Sequence, residues 1–356
     1  MNIPGKWRNY LHQSYKQQQL KKHNLQYLFL ELSRKCNLNC LHCGSDCKHQ
    51  NNNPELSLQS WLLILDYLKT TFNPLPAIIL TGGEPLLYKH LLVVAEKLKQ
   101  HNFRWGMVTN GLLLTPQLIN RLINCNMQSV TVSLDGTENS HNWLRNSPVA
   151  YKKVLDGLQL LTQSNLVFTD VVTCVNPQNL TELSKIAETL ITIGIRNWRL
   201  FRIFPSGRAE HNDNLVLSFD KTQQLLHWIK THKPELKKRN LHVNLSCEGW
   251  IPVIDDVKVR DNLFFCRSGI NVASILSDGT ITGCSNNQSQ FFQGNILTHD
   301  FALLWNNSFD NLRNRNWLSN TICANCEYLS TCNGGSAHLW HNNKIKPEFC
   351  YMNNLL

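Results

Sequence analysis

The sequence predicts an α/β fold, a partial (βα)6 TIM-like barrel followed by a small cysteine-rich C-terminal domain. Between residues 26 and 215, apolar runs of strand length alternate with amphipathic runs of helical length, as in βα units on a parallel sheet. Six such units are fewer than the eight of a closed barrel, so we expect an open one. Residues 256–356 have few long apolar runs but six cysteines, which indicates folding supported by metal.

The six strand candidates are Tyr27–Leu32, Ala77–Leu80, Arg104–Val108, Ser129–Leu134, Phe168–Val175 and Trp198–Phe204. The helix candidates are Leu58–Leu68, His90–Lys99, Pro116–Ile123, Tyr151–Leu161, Leu180–Ile193 and Lys221–Thr231. Ser57 is placed to cap the first helix, and Thr115 precedes a helix with proline in its first turn. The remaining segments are a basic N-terminal extension over 1–25 and a bridging helical segment over 216–255.

Composition excludes several classes of protein. The formal net charge is +10, but the basic residues are scattered, and their two densest clusters lack the interleaved aromatics of a nucleic-acid groove. No run of about 18 apolar residues could cross a membrane. The N-terminus lacks an apolar signal core, so we expect a cytoplasmic protein. Thirteen cysteines in that compartment indicate metal binding rather than disulfides.

Three cysteines follow the first predicted strand, in the spacing Cys36-x3-Cys40-x2-Cys43. Three thiolates can hold a four-iron cluster while leaving one iron open, and an open metal position is where chemistry occurs. Cys47 is placed to be a fourth ligand, which would close that position. We favour the interpretation that Cys47 is a nearby thiol outside the ligand set. Taken alone, this spacing also fits a zinc knuckle.

Further motifs end the next predicted strands: Thr81-Gly82-Gly83-Glu84-Pro85, Thr109-Asn110-Gly111 and Ser133-Leu134-Asp135-Gly136. In this order the motifs resemble those of the radical S-adenosylmethionine (radical SAM) family. The resemblance implies a [4Fe-4S] cluster on the three cysteines, with S-adenosylmethionine bound at its open iron. The cofactor-binding residues that it implies are His42, Gly82, Gly83, Glu84, Thr109, Asn110, Ser133 and Arg145.

The C-terminal cysteines resemble the SPASM extension of peptide-modifying radical SAM enzymes. They form Cys266-x12-Gly279-x4-Cys284 and Cys323-x2-Cys326-x5-Cys332, with Cys350 beyond. The resemblance implies one auxiliary iron–sulfur cluster on the last four cysteines. A second would use Cys266, Cys284 and the position held by Ser336. Cys247 or the Ser336 oxygen could complete that site, or the cluster is two-iron, open or absent. A zinc ribbon is the alternative for the last four cysteines.

Several other side chains have plain structural interpretations. Cys125 and Cys174 lie on a predicted helix and strand, which favours buried structural thiols. Three arginines around the last predicted strand, Arg199, Arg202 and Arg208, either bind a substrate carboxylate or are solvated or ion-paired. The sequence identifies no general base, so the catalytic residues stay unassigned.

The resemblance implies an enzyme that cleaves S-adenosylmethionine reductively to a 5′-deoxyadenosyl radical. That radical would remove hydrogen from a peptide or protein side chain, giving a cross-link, an oxidation or an epimerisation. An electron donor such as flavodoxin or ferredoxin is implied. Any leader-binding protein would be separate, because Tyr27 already lies in the first strand. Ser285, where sulfatase-maturating members carry aspartate, counts against formylglycine formation.

Two alternatives to a peptide maturase stay open. The first is a radical SAM enzyme that acts on a small molecule or a tetrapyrrole, whose acidic groups would suit the positive charge. The second is a non-catalytic protein that binds iron–sulfur clusters or zinc.

Overall fold

The strands of the computed structural model form one ten-stranded sheet. This holds for the residues that the structure describes, which are 5–47, 54–164, 168–210, 212–247, 249–341 and 345–352. The order of the strands across the sheet is β10-β9-β8-β1-β2-β3-β4-β5-β6-β7. The strands are β1 (Tyr27–Glu31), β2 (Ala77–Thr81), β3 (Trp105–Thr109), β4 (Met127–Ser133), β5 (Phe168–Val175), β6 (Asn197–Arg202), β7 (His242–Leu245), β8 (Val272–Ile275), β9 (Thr280–Thr282) and β10 (Phe292–Asn295).

Helices follow the strands in the expected alternation. They are α1 (Gly5–Lys22), α2 (Leu58–Thr71), α3 (Leu91–Gln100), α4 (Pro116–Asn124), α5 (Glu138–Arg145), α6 (Ala150–Gln163), α7 (Leu183–Ile193), α8 (Phe219–Lys238), α9 (Val253–Val259), α10 (Phe301–Asn307), α11 (Asp310–Arg313) and α12 (Leu329–Cys332). Of these helices, none is both long and apolar enough to cross a membrane.

The parallel sheet of an open barrel is confirmed, with β1 to β7 all parallel. Leu28 and Leu30 on β1 have no exposed surface, as expected for strands covered on both faces. The Ser57 and Thr115 side chains cap α2 and α4 as the sequence predicts. The long periodic runs were therefore sufficient to locate these units, with shifts of a few residues at their ends.

Three parts of the sheet were not predicted. β7 continues the barrel past residue 215 by pairing with β6, and β8 of the cysteine-rich region pairs with β1 on the other side. β9 and β10 then add antiparallel strands. These strands have four residues or fewer, too few to show a periodicity. The predicted boundaries at 215 and 256 thus fall within one continuous sheet.

The cysteine-rich region shares the core of the barrel rather than building its own. Phe301, Trp305 and Phe309 are buried and belong to the same apolar cluster as the barrel strands. The rings of Phe301 and Phe72, at the end of α2, lie 5.7 Å apart. This packing joins the two regions through side chains as well as through backbone hydrogen bonds.

We expect Trp61→Ala on α2 to lower the free energy of unfolding by about 3–5 kcal/mol, because a fully buried indole leaves a large cavity. Leu63→Ala on the same helix is the matched control, since this side chain is 57% exposed and its loss should cost less than about 0.5 kcal/mol. Urea denaturation followed by circular dichroism measures both. Equal effects of the two variants would contradict the packing described.

Candidate iron–sulfur and cofactor sites

The cysteine loop after β1 is held against the glycine turn after β2. Gly83 N donates to Ser33 O and Glu84 N to Lys35 O, each at 2.8 Å. A Cβ atom on Gly82 or Gly83 would lie within 3.0 Å of the backbone at residues 33–35. Only glycine therefore permits this approach. The turn fixes the chain immediately before the first cysteine of the loop.

Glu84 is buried, 1% exposed, and ties the glycine turn to the end of β3. Its Oε1 accepts from Thr109 Oγ1 at 2.7 Å and from Leu86 N at 3.0 Å, while Oε2 accepts from Asn110 N at 2.7 Å. Burial raises the pKa of Glu84, and these three donors oppose that rise. A carboxylate has about four acceptor positions, so one is left for a further donor such as an amine.

Donors from the end of β3 and from the end of α5 lie beside the first two thiols of the loop. Asn110 Nδ2 is 4.0 Å from Cys36 Sγ and donates to Asn37 Oδ1 at 2.7 Å. Arg145 Nη1 is 3.7 Å from Cys40 Sγ. Burial is the main cause that raises the pKa of both thiols, and the neighbouring thiols raise it further. Crowded thiols of this kind, with Cys40 buried and Cys36 partly buried, are a suitable donor set for a metal cluster.

Cys47 lies inside this site. Its thiol hydrogen-bonds with Cys43, which lowers the pKa of Cys43 and raises that of Cys47. Its Sγ is also 4.0 Å from the Gly82 carbonyl oxygen. Cys47 is therefore a direct neighbour of the loop thiols. Its place outside the ligand set stays a prediction.

A buried polar network lies beneath the loop. Arg145 Nε donates to Asp135 Oδ2 at 2.6 Å, and Asp135 Oδ1 accepts from Cys174 N at 2.7 Å. The guanidinium of Arg145 therefore contacts both Asp135 and the Cys40 sulfur. These contacts make Arg145 a support of the cysteine loop. His42 lies near this pair; burial lowers its pKa to about 4, so its ring is neutral at pH 7.

Ser133 is the predicted cofactor residue with the most available side chain. It ends β4 and is half-buried, and its hydroxyl makes no hydrogen bond with the described residues. A free hydroxyl at the carboxyl end of a strand is available to a ligand.

Residues after β6, which the sequence analysis left undecided, support the cysteine loop from the other side. Arg208 Nε donates to Cys40 O at 2.7 Å, Arg208 N donates to Cys43 O at 3.0 Å, and its Nη1 pairs with Asp46. A Cβ atom on Gly207 would collide with the carbonyl oxygens of Cys43 and Gly44. Arg208 therefore binds the loop rather than a substrate carboxylate.

The two arginines on β6, Arg199 and Arg202, also have partners within the protein. Arg199 forms an ion pair with Asp170, and the Arg202 guanidinium lies 3.6 Å from the centroid of the Phe349 ring. The structure thus favours the ion-paired alternative for Arg199, and it gives Arg202 a cation–π contact.

The last four cysteines lie around one cavity. They line this cavity with the glycine pair Gly334-Gly335; the four are Cys323, Cys326, Cys332 and Cys350. Burial, together with the nearby thiols of Cys350 and Cys323, raises the pKa of Cys332 to about 12. Four converging thiols can saturate one cluster or one zinc ion.

The other auxiliary residues form two pairs. Burial raises the pKa of Cys284 to about 11, with the Cys266 thiol close enough to contribute. Cys247 Sγ lies 3.9 Å from Ser336 Oγ, and Ser336 has no exposed surface. A thiol from another part of the chain therefore lies next to the serine that replaces cysteine.

Some of these residues lacked any usable sequence signal. Asp135 and Arg145 are joined by α5, a short helix that was not predicted, and Asp135 was noted only as part of a strand end. Cys247 was considered only because it is a further cysteine upstream of the tail motifs. The signal that could have found Arg208 was its position just beyond a strand, together with the glycine before it.

Comparisons with known proteins agree with this geometry. The family description "Radical SAM superfamily" matches residues 30–190, and "Iron-sulfur cluster-binding domain", the SPASM family, matches residues 266–327. A protein named AdoMet-dependent heme synthase, from Methanosarcina barkeri, is 26% identical over 333 residues, which cover 87% of this chain and 90% of the relative. The mycofactocin maturase MftC of Mycolicibacterium smegmatis is 26% identical, covering 86% of this chain and 76% of the relative.

Among solved structures, anSMEcpe with bound AdoMet and a peptide is similar with a TM-score of 0.72. It is 18% identical, covering 92% of this chain and 93% of that chain. This likeness concerns the fold. The two family matches and the cysteine-rich tail support one conclusion: the chain carries a radical SAM domain over residues 30–190 and a SPASM domain over residues 266–327, and these domains imply a [4Fe-4S] cluster, S-adenosylmethionine and auxiliary clusters as its cofactors.

Proposed function

We propose that Cys36, Cys40 and Cys43 hold the [4Fe-4S] cluster and leave one iron open to S-adenosylmethionine. The support is the donor set: three crowded thiols lie in one loop, which is braced on two sides. When bound, the cluster and S-adenosylmethionine supply a 5′-deoxyadenosyl radical, which can take hydrogen from an unactivated carbon. The protein contributes position, orientation and exclusion of water.

Around that cluster the chain offers separate contacts for the parts of the cofactor. Glu84 has one acceptor position left for the methionyl amine. Ser133 presents its free hydroxyl at the neighbouring strand end. His42 is neutral at pH 7 and lies next to the third cysteine. Arg145 acts as a positioning residue, because it links Cys40 to Asp135.

For the substrate, we infer an iron tetrapyrrole with carboxylate side chains. This departs from the peptide substrate that the SPASM resemblance first implies. The observation that carries it is the nearly end-to-end match with the heme synthase, which spans 87% of this chain and 90% of the relative. The net charge of +10 agrees with an acidic substrate.

A peptide or protein side chain is the second candidate. It is favoured by the match with the maturase MftC, which is as similar in sequence but leaves more of the relative unmatched. With a peptide substrate, we expect separate leader recognition and the same electron donor, a flavodoxin or ferredoxin.

Anaerobic incubation with S-adenosylmethionine and dithionite tests the activity and the substrate together. We expect 5′-deoxyadenosine, and its yield should rise several-fold with iron coproporphyrin, accompanied by a mass change in the porphyrin. Liquid chromatography with mass spectrometry measures both products. If only peptides raise the yield of 5′-deoxyadenosine and change in mass, the second candidate is selected. If no 5′-deoxyadenosine forms at all, the proposed enzymatic activity is contradicted.

The Cys47→Ala variant should keep the iron content of the wild-type protein, because Cys47 donates to a ligand sulfur without binding iron. Cys40→Ala should lose the cluster of the barrel, about four irons per chain. Iron and sulfide analysis of anaerobically purified protein measures both. An equal loss in the two variants would make Cys47 a ligand.

For the tail we propose two auxiliary clusters, one on the last four cysteines and one on Cys266, Cys284 and Cys247. The wild-type protein should then contain about twelve irons per chain, and Cys247→Ala about eight. Cys125→Ala is the control, since this buried thiol follows α4 and contacts Glu96 rather than another cysteine. A wild-type count of about eight, unchanged in Cys247→Ala, would show that the first auxiliary cluster is absent.

A further inference from the structure

The N-terminal segment, predicted as a basic extension, is the helix α1, and it packs on the auxiliary domain. His12 Nε2 lies 3.1 Å from Phe264 O. The rings of His12 and Tyr15 lie 5.9 and 6.1 Å from the ring of Phe265. Phe265 directly precedes Cys266, so α1 covers the backbone that leads into the first auxiliary site.

On the buried side of α1, Lys16 extends between the two groups of auxiliary cysteines. It is 4% exposed, and its Nζ donates to Thr331 O at 3.5 Å. Thr331 directly precedes Cys332. The ammonium therefore lies between chain segments that each continue into a proposed ligand.

A second buried cation, Arg315, lies near the backbone on the other side of Cys332. Arg315 is 3% exposed and donates to the carbonyl oxygens of Leu312, Asn333 and Gly335. Its Nη2 has no partner among the described residues. Asn333 and Gly335 follow Cys332 in the chain, so the guanidinium of Arg315 holds the backbone next to this proposed cluster ligand.

Neither cation has a carboxylate partner within the part of the chain that the structure describes; both contact only carbonyl oxygens. A buried charge without a counter-charge is strongly unfavourable. The groups at hand that can become anionic are the auxiliary thiols. Burial and the nearby charge of Arg315 lower the pKa of Lys16 to about 8, and the Cys332 and Cys266 thiols oppose this.

We propose that Lys16 and Arg315 are the built-in counter-charges of the auxiliary iron–sulfur clusters, and that Lys16 raises their reduction potentials. The reduction potential of such a cluster depends on its net charge and surroundings. A fixed cation nearby stabilises the reduced state, which carries one more negative charge. The inference rests on the ligand sets proposed above, so the wild-type protein is first shown to hold tail iron.

The test compares three variants of the full, cluster-loaded chain. Lys16→Met removes the charge and keeps the length, Lys16→Arg keeps the charge, and Lys21→Met removes an exposed charge from the same helix. We expect Lys16→Met to lower the ratio of reduced to oxidised auxiliary cluster at a fixed potential about tenfold, or about 59 mV for one electron. Lys16→Arg and Lys21→Met should stay close to the wild type. Redox titration followed by electron paramagnetic resonance measures the ratio.

Each outcome has a defined meaning. An unchanged ratio in loaded Lys16→Met overturns the proposal. If Lys16→Met fails to load its tail clusters while Lys16→Arg loads them, and circular dichroism shows both folded, the charge is needed and the proposal stands. Failure of both variants to load indicates a packing role and overturns it. Wild-type protein without tail iron rejects the ligand sets themselves, and the proposal with them.

Discussion

The site depends on the close approach of two backbones at the ends of β1 and β2. Gly82 and Gly83 meet the chain at residues 33–35 with no room for a Cβ atom, and two hydrogen bonds join the segments. Because Cys36 follows at once, this contact sets where the cysteine loop begins. Glu84 then extends the constraint to the end of β3, where its carboxylate accepts hydrogen bonds from Thr109 and Asn110.

The remaining supports of the loop come from distant parts of the chain. Arg145 reaches Cys40 from α5, and Arg208 reaches two loop carbonyls from the segment after β6. Each is itself held by an aspartate, Asp135 or Asp46. A loop with almost no regular structure is thereby held in place on several sides. Such preorganisation is what a cluster with an open coordination position requires.

Features encoded by local spacing could be predicted from the sequence, whereas features created by distant pairs could not. The three cysteines and the glycine turn are short, regular motifs, and the barrel strands have clear periodicity. β8 has four residues, and its partner β1 lies far away in sequence. Lys16 looked like part of a basic surface, because its burial depends on the tail packing against α1. Cys247 was one of several candidates for the first auxiliary site in the sequence, and only the fold shows that it lies beside Ser336.

The pairing of β8 with β1 also determines which strand edge would be exposed if the tail unfolded. β1 lies between β8 and β2, so both of its edges are hydrogen-bonded only while the tail is folded. If the tail came away, one side of β1 would present unpaired N–H and C=O groups. An exposed edge of this kind is a template for pairing with other chains. The folded tail therefore covers the edge of β1 at which the barrel would otherwise be open to such pairing.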